Sequence, residues 1–246
     1  MMLSGTHAAA LPVTVVVPAW NEAPRIGRVL RALPAWVDSV VVVDDASTDG
    51  TAHVAEGLGD GRVEVVRHEQ NRGVGAAITT GYRRALGKPG GARDAFVVMA
   101  GDDQMDPRDL ESLLAPIARA TADYVKGDRF TGGRVPRSMP VARWLGGRVF
   151  SWATSRAIGV SISDSQCGYT AITRAACAML DLDALWPGYG YPNDLLSQLA
   201  LRDLRIAEVP VRAVYADEVS RLRLRHVAVI GALVARAWIR RRRAWR

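Results

Sequence analysis

Apolar residues in this chain come first as short unbroken runs, with little strict alternation. Residues 11–17, 40–43, 63–66 and 96–99 are rich in valine, and such runs predict strands buried on both faces of a parallel sheet. Between them the spacing turns helical. Ile26, Val29, Leu30 and Leu33 follow Pro24, and further helices are expected toward Leu58, to Leu86 and over 110–120. In the second half, 124–126 predicts a short strand, 143–158 a helix, 164–170 a return to the sheet, 195–204 a helix, and 206–214 a last strand split by Pro210. Six or seven strands alternating with helices imply an α/β fold, a mostly parallel, doubly wound (Rossmann-like) sheet with helices on both faces. The pair Gly73 and Gly75 is not a dinucleotide fingerprint, because that motif belongs after the first strand and Ile78 fills its third small position. The pair instead lets a helix start close to the sheet or to a ligand phosphate.

Composition changes this picture in two places. At 246 residues and 49% apolar, the chain is long enough for one large domain with a full core. Its net charge of +7 is not spread over that domain. Of 32 basic residues nine fall in 221–246, where there is no acid, leaving 23 basic against 25 acidic residues before them. The division expected is a folded body over 1–220 and a basic tail over 221–246, and the body's lack of basic excess argues against nucleic acid as a partner. Cys167 and Cys177 show no metal-ligand spacing and are too few for a disulfide framework, which fits a reducing cytosol. Residues 1–11 lack an export leader, and no run reaches the roughly 18 apolar residues of a spanning helix.

Chemistry concentrates where the valine runs stop. The strand at 96–99 breaks into Ala100-Gly101-Asp102-Asp103-Gln104-Met105-Asp106, with Pro107 placed to open the next helix at its first position. Oxygen donors on a short turn at a strand's carboxyl end suit Mg2+ or Mn2+, hard cations that keep waters and take further ligands from substrate phosphates. The strand at 40–43 likewise runs into Asp44-Asp45, which are costly to bury without hydrogen bonds. Plainer roles are open at both ends of the chain: Ser47 or Thr48 would cap the following helix, and Asn193 or Asp194 would cap the helix over 195–204.

Taken together, Pro18-Ala19-Trp20-Asn21-Glu22, Asp44-Asp45-Ala46-Ser47-Thr48-Asp49-Gly50-Thr51, the Asp102/Gln104 turn, Gly127-Asp128-Arg129-Phe130, Gln166-Cys167-Gly168-Tyr169-Thr170 and Tyr215 through Ser220-Arg221 stand in an order that resembles family-2 glycosyltransferases of the GT-A fold. Within them it resembles the polyprenyl-phosphate, dolichol-phosphate mannose synthase-like branch. The resemblance covers roughly residues 13–221. It implies that Pro18, Trp20, Glu22, Asp44 or Asp45, and Asp102 hold the nucleotide-sugar, and that Asp102 and Gln104 bind Mg2+ or Mn2+. It further implies that Arg129, Arg143 and Arg221 meet phosphates, with Asp102, Arg129, Arg143 and Asp194 as the catalytic set. One departure is visible: the family writes Asp-x-Asp, and the first acid's place is taken by Ala100.

Inverting sugar transfer needs an in-line nucleophile, a neutralised diphosphate and exclusion of water. A polyprenyl phosphate acceptor is ionised at neutral pH and needs no base, whereas a hydroxyl acceptor on a glycan needs a carboxylate, for which Asp194 is the candidate. A non-catalytic relative that binds nucleotide-sugar is the third possibility. Residues 131–140, with Arg134 and Arg137, read as a loop able to close over the site. In the tail, Arg221, Arg225, Arg236, Arg240 and Arg243 fall on one side of a helix whose other faces are apolar. That pattern predicts an amphipathic helix lying on the anionic inner face of the cytoplasmic membrane, or a helix pair in a homodimer.

Overall fold

The computed structural model describes residues 11–130, 141–212 and 224–244. Seven strands form one sheet: β1 Val13–Ala19, β2 Ser39–Asp44, β3 Val63–Arg67, β4 Ala95–Val98, β5 Tyr124–Asp128, β6 Thr170–Thr173 and β7 Ile206–Pro210. Their order across the sheet is β3-β2-β1-β4-β6-β5-β7. All neighbours run parallel except β6, which is antiparallel to both β4 and β5. Eight helices complete the described chain: α1 Ala23–Arg31, α2 Thr51–Glu56, α3 Val74–Leu86, α4 Leu110–Ala118, α5 Val141–Ile158, α6 Arg174–Ala178, α7 Tyr191–Ala200 and α8 Leu224–Ala244.

The valine runs of β1, β2 and β4 follow from burial on both sides, whereas β3, at the sheet edge, is only half-buried and carries Glu64. Along β1, Val13, Val15 and Val17 face a core shared with Ile26, Leu30 and Leu113, while Val16 faces a second core with Ile78, Tyr82 and Leu195. Each such side chain taken fully from water contributes about 1.5–3 kcal/mol, and the one polar position on the strand, Thr14, is also its only half-buried one. The sheet is therefore covered on both faces.

Several expected boundaries shift for local reasons. The helix expected over 195–204 begins at Tyr191, because Gly190 adopts φ +100° as its N-cap and Pro192 sits in the first turn, where a missing N–H costs nothing. Neither Asn193 nor Asp194 is the cap. The cap of α2 is Gly50 at φ +86°, not Ser47 or Thr48, and Asp49 accepts the Thr51 N–H at 3.0 Å. Pro107 opens a single 3-10 turn over Pro107–Asp109, capped by Asp106, before α4 begins at Leu110. The last strand stops at Pro210, where the expectation carried it to 214, and residues from 213 lie outside the described ones. Gly75 makes its close approach to a loop and not to the sheet: a Cβ there would strike the Trp186 carbonyl oxygen, and the Ala76 N–H donates to Pro187 O at 2.9 Å. The tail helix does not stand alone, since α8 buries Ile230, Leu233 and Ala237 and packs along α5 and α7.

Candidate active site at the carboxyl edge of the sheet

Because β1, β2, β4 and β5 run the same way, their carboxyl ends bring Trp20–Glu22, Asp44–Asp45, residues 99–105 and Arg129 to one edge. The antiparallel strand adds to it: β6 delivers the segment before it, Asp164 to Tyr169, to that same edge. Crevices of this kind at strand ends are where open α/β sheets hold ligands.

On the β1–β2 side, two loops are stitched by side chain to backbone bonds. The Asn21 N–H donates to Ser47 Oγ at 2.8 Å, the Glu22 N–H to Thr51 Oγ1 at 2.8 Å, and the Thr48 N–H to Asn21 Oδ1 at 2.9 Å. Asn21 takes φ +55°, a conformation that asparagine tolerates, and Trp20 projects from the pair at 44% exposure. Glu22 is buried and paired with Arg25 at 2.9 Å. The two aspartates divide their tasks. Asp45 receives the Arg72 and Gly73 N–H groups, both at 2.8 Å, and His68 Nδ1 at 2.7 Å, so it clamps the start of α3. Asp44 has one oxygen on the Ser47 N–H at 3.1 Å and is itself buried.

The β4 turn sits beside this pair, with the Gly101 N–H on Pro18 O at 3.1 Å. Asp102 Oδ1 accepts the Gln104 N–H at 3.1 Å, which fixes the turn. The remaining acids are committed elsewhere. Asp103, at φ +63°, pairs with Arg28 at 2.7 Å, and Asp106 with Arg108 and Arg212, whose cations hold its carboxyl below its ordinary range. Among the described residues no group of three His, Cys, Asp or Glu stands ready to enclose a metal. One carboxylate and one amide fit a Mg2+ or Mn2+ ion that draws most of its ligands from a diphosphate and water, and do not fit a metal caged by protein.

Across the edge, Arg129 and Asp164 form a two-pronged ion pair, Nε to Oδ2 at 2.7 Å and Nη2 to Oδ1 at 3.0 Å, and the Arg129 N–H adds a third bond at 3.2 Å. Asp164 has 0% exposure. Burial pushes its carboxyl up, yet Arg129, Lys126 and the hydrogen bonds together hold it below the usual value. Lys126 is equally buried in β5 and donates to Cys167 O; burial lowers its ammonium against the pull of Cys167 and Asp164. Glu208 on β7 closes the group by accepting the Ser163 and Asp164 N–H groups at 2.7 and 3.0 Å. The expected phosphate ligand Arg129 is thus a cation whose position a buried carboxylate sets.

The sequence profile of glycosyl transferase family 2 matches residues 14–185. The chain belongs to that family. It is 28% identical over 222 residues to the UDP-N-acetylglucosamine–dolichyl-phosphate N-acetylglucosaminyltransferase of Methanococcus voltae, covering 83% of this chain and 86% of the relative. To the undecaprenyl-phosphate mannosyltransferase of Micrococcus luteus it is 32% identical over 210 residues, covering 81% and 82%. The structure superposes on glucosyl-3-phosphoglycerate synthase from Mycobacterium tuberculosis, solved with UDP, with a TM-score of 0.68 at 24% identity, covering 94% of this chain and 82% of that one. The fold is GT-A.

Placed on this glycosyltransferase, the remaining expected residues divide. Asp194 is 2% exposed in the first turn of α7, with Oδ2 on the Trp186 N–H at 2.9 Å and Oδ1 on Arg240 of α8 at 3.0 Å. Both oxygens hold protein, so Asp194 ties the 186–188 loop and α8 together. Arg143 lies in the first turn of α5 and its side chain is outside the described residues, as are Arg221 and the 131–140 loop with Arg134 and Arg137. Asp164, Glu208 and Lys126 were not foreseen. Only Lys126 left a signal, a lysine within the short strand expected at 124–126.

Proposed function

We propose that this family-2 enzyme moves a sugar, with inversion, from a nucleotide-diphospho-sugar to a polyprenyl phosphate at the cytoplasmic face of a membrane. The observation that carries the reading is the Arg129–Asp164 pair: a cation fixed by a buried carboxylate at the same sheet edge as Asp44 and Asp102. Fixed charge of this kind stabilises a phosphate oxygen without reorganisation during transfer. Two relatives named for transfer to dolichyl and undecaprenyl phosphate support the same acceptor class.

In this reading Trp20 and Asp44 hold the nucleoside, and Glu22 and Asp45 hold the loops that present them. Asp102 and Gln104 would hold Mg2+ or Mn2+, the former found with UDP in one structure of the mycobacterial synthase and the latter in another. When bound, the ion neutralises the departing diphosphate. Arg129 orients the acceptor phosphate, whose oxygen is already ionised, so no side chain has to take a proton. Commitment of both Asp194 oxygens disfavours the alternative in which that residue is the base for a hydroxyl acceptor. Membrane attachment is assigned to α8, because no described helix is long and apolar enough to cross a bilayer, while α8 carries the basic excess.

The test is transfer itself. Uridine and guanosine diphospho-sugars labelled in the sugar, with Mn2+ and undecaprenyl phosphate, should yield label in the organic phase. Label appearing only in water-soluble glycan would move the assignment to a hydroxyl acceptor, and absence of any transfer would leave a binding protein.

A further inference from the structure

The helix α5 has two faces of opposite character. Leu145, Val149 and Trp152, spaced i, i+4 and i+7, are 56%, 56% and 66% exposed, so they form one outward stripe of large apolar side chains. On the other face Ser151 receives the Ser165 N–H at 2.9 Å, Thr154 donates to Asn193 Oδ1 at 2.8 Å, and Gly147 lies under the Phe130 ring. Those inward contacts are the wall of the Arg129–Asp164 group. One helix, about 10 Å across, therefore separates the charged edge of the active site from an exposed apolar stripe.

Charge says what covers the stripe. Neither α5 nor α8, which pack side by side, contains an Asp or Glu. Arg148 and Arg156 are exposed on α5, and Arg242 and Arg243 on α8, with Arg242 over the Trp238 ring and Trp238 and Ile239 also exposed. A second copy of this chain would set arginine against arginine with no carboxylate on either helix. Nucleic acid would gain nothing from Leu145, Val149 and Trp152. An anionic bilayer accepts both parts, apolar side chains at the acyl boundary and arginines among the headgroups.

We infer that Leu145, Val149 and Trp152 of α5 are inserted in an anionic lipid leaflet, making α5 a membrane-docking element alongside α8. The helix then holds the acceptor side of the active site at headgroup depth, where the phosphate of a membrane-held polyprenyl chain lies. This last step rests on the proposed acceptor, whereas the docking surface stands on exposure and charge alone.

The test uses the full chain with vesicles of phosphatidylglycerol and phosphatidylcholine, and with phosphatidylcholine alone. Wild type should float with the anionic vesicles, and the double variant Leu145→Glu/Trp152→Glu should bind them at least about tenfold more weakly. Brominated lipid should quench more of the tryptophan emission in wild type than in Trp152→Phe, a variant conservative enough to keep the fold. Equal vesicle binding by the double variant, or equal quenching in Trp152→Phe, would overturn the inference. So would a wild-type dimer in sedimentation that the double variant converts to monomer, because the stripe would then be a subunit contact. Vesicle docking through Trp152 without transfer to undecaprenyl phosphate would refute the proposed acceptor and leave the surface standing. Transfer with unaltered docking in the double variant would do the reverse.

Discussion

The half of the site around β1, β2 and β4 and the half around β5 and β6 are held by different forces. In the first, short loops are sewn together by neutral or backbone-directed bonds: Asn21 to Ser47 and Thr48, Glu22 to Thr51, Asp45 to the N–H groups of residues 72 and 73. Its one candidate metal carboxylate, Asp102, remains partly exposed. In the second, buried carboxylates hold cations: Asp164 faces Arg129 and Lys126 beside Glu208, and Asp194 faces Arg240. The first arrangement allows a ligand carboxylate to change without unfolding anything. In the second, a buried ion left without its partner costs several kcal/mol, so function and stability are joined.

The comparison is broken most cleanly at Asp102. Asp102→Ala should lower kcat/KM by about a thousandfold, since it removes the carboxylate proposed to hold the Mg2+ or Mn2+ that would neutralise the charge developing on the diphosphate, with the unfolding midpoint unchanged. Steady-state kinetics and a thermal melt on the same preparation check both halves of the statement. Full wild-type turnover in EDTA would show that the turn holds no metal.

At Asp164 both quantities should move. Asp164→Asn leaves Arg129 and Lys126 without their counter-charge, and about 3 kcal/mol of stability should go, roughly 6–12 °C in Tm for a chain of this size. KM for the acceptor should rise more than KM for the donor. The pH dependence has a definite sign. Because the folded carboxyl lies below its ordinary value, its contribution is present above the unfolded value of about 3.9 and is lost as pH falls through the lower folded one. Acid unfolding curves of wild type and Asp164→Asn should therefore converge toward low pH, and a constant gap between them would contradict the pairing.

What could be read from the sequence follows the same division. Valine runs ending in Asp44-Asp45 and in the Asp102 turn announce both a buried parallel strand and a polar edge, because the change of character occurs within a few residues. The antiparallel β6 was not announced, as four residues, Thr170–Thr173, carry no sign of direction. Partners 35 and 46 positions apart, Arg129 with Asp164 and Asp194 with Arg240, meet only through the fold. Asp194 illustrates the difficulty: its place ahead of an apolar run reads as a cap, the family resemblance implies a base for a hydroxyl acceptor, and it is neither a cap nor open to solvent.

The smallest effect is expected at Arg240, and it bears on the acceptor. Arg240→Gln removes the Nη1 contact from Asp194 Oδ1 and leaves the carboxylate, 2% exposed, on the Trp186 N–H. A half-exposed partner lost from a buried acid costs about 1–2 kcal/mol, or roughly 2–8 °C in Tm. Loosening should reach the 186–188 loop, which rests on α3 through the Ala76 N–H to Pro187 O bond. Chemistry should hardly notice: if the acceptor phosphate arrives ionised, turnover at saturating substrate stays within about threefold and the pH–rate profile keeps its shape. A base positioned by its arginine would behave otherwise, since losing that contact would change both turnover and the shape of the profile. Thermal melts and pH–rate profiles of wild type, Arg240→Gln and Asp194→Asn separate the two, and a large loss of turnover with a changed profile in Arg240→Gln would restore Asp194 as the base of a hydroxyl acceptor.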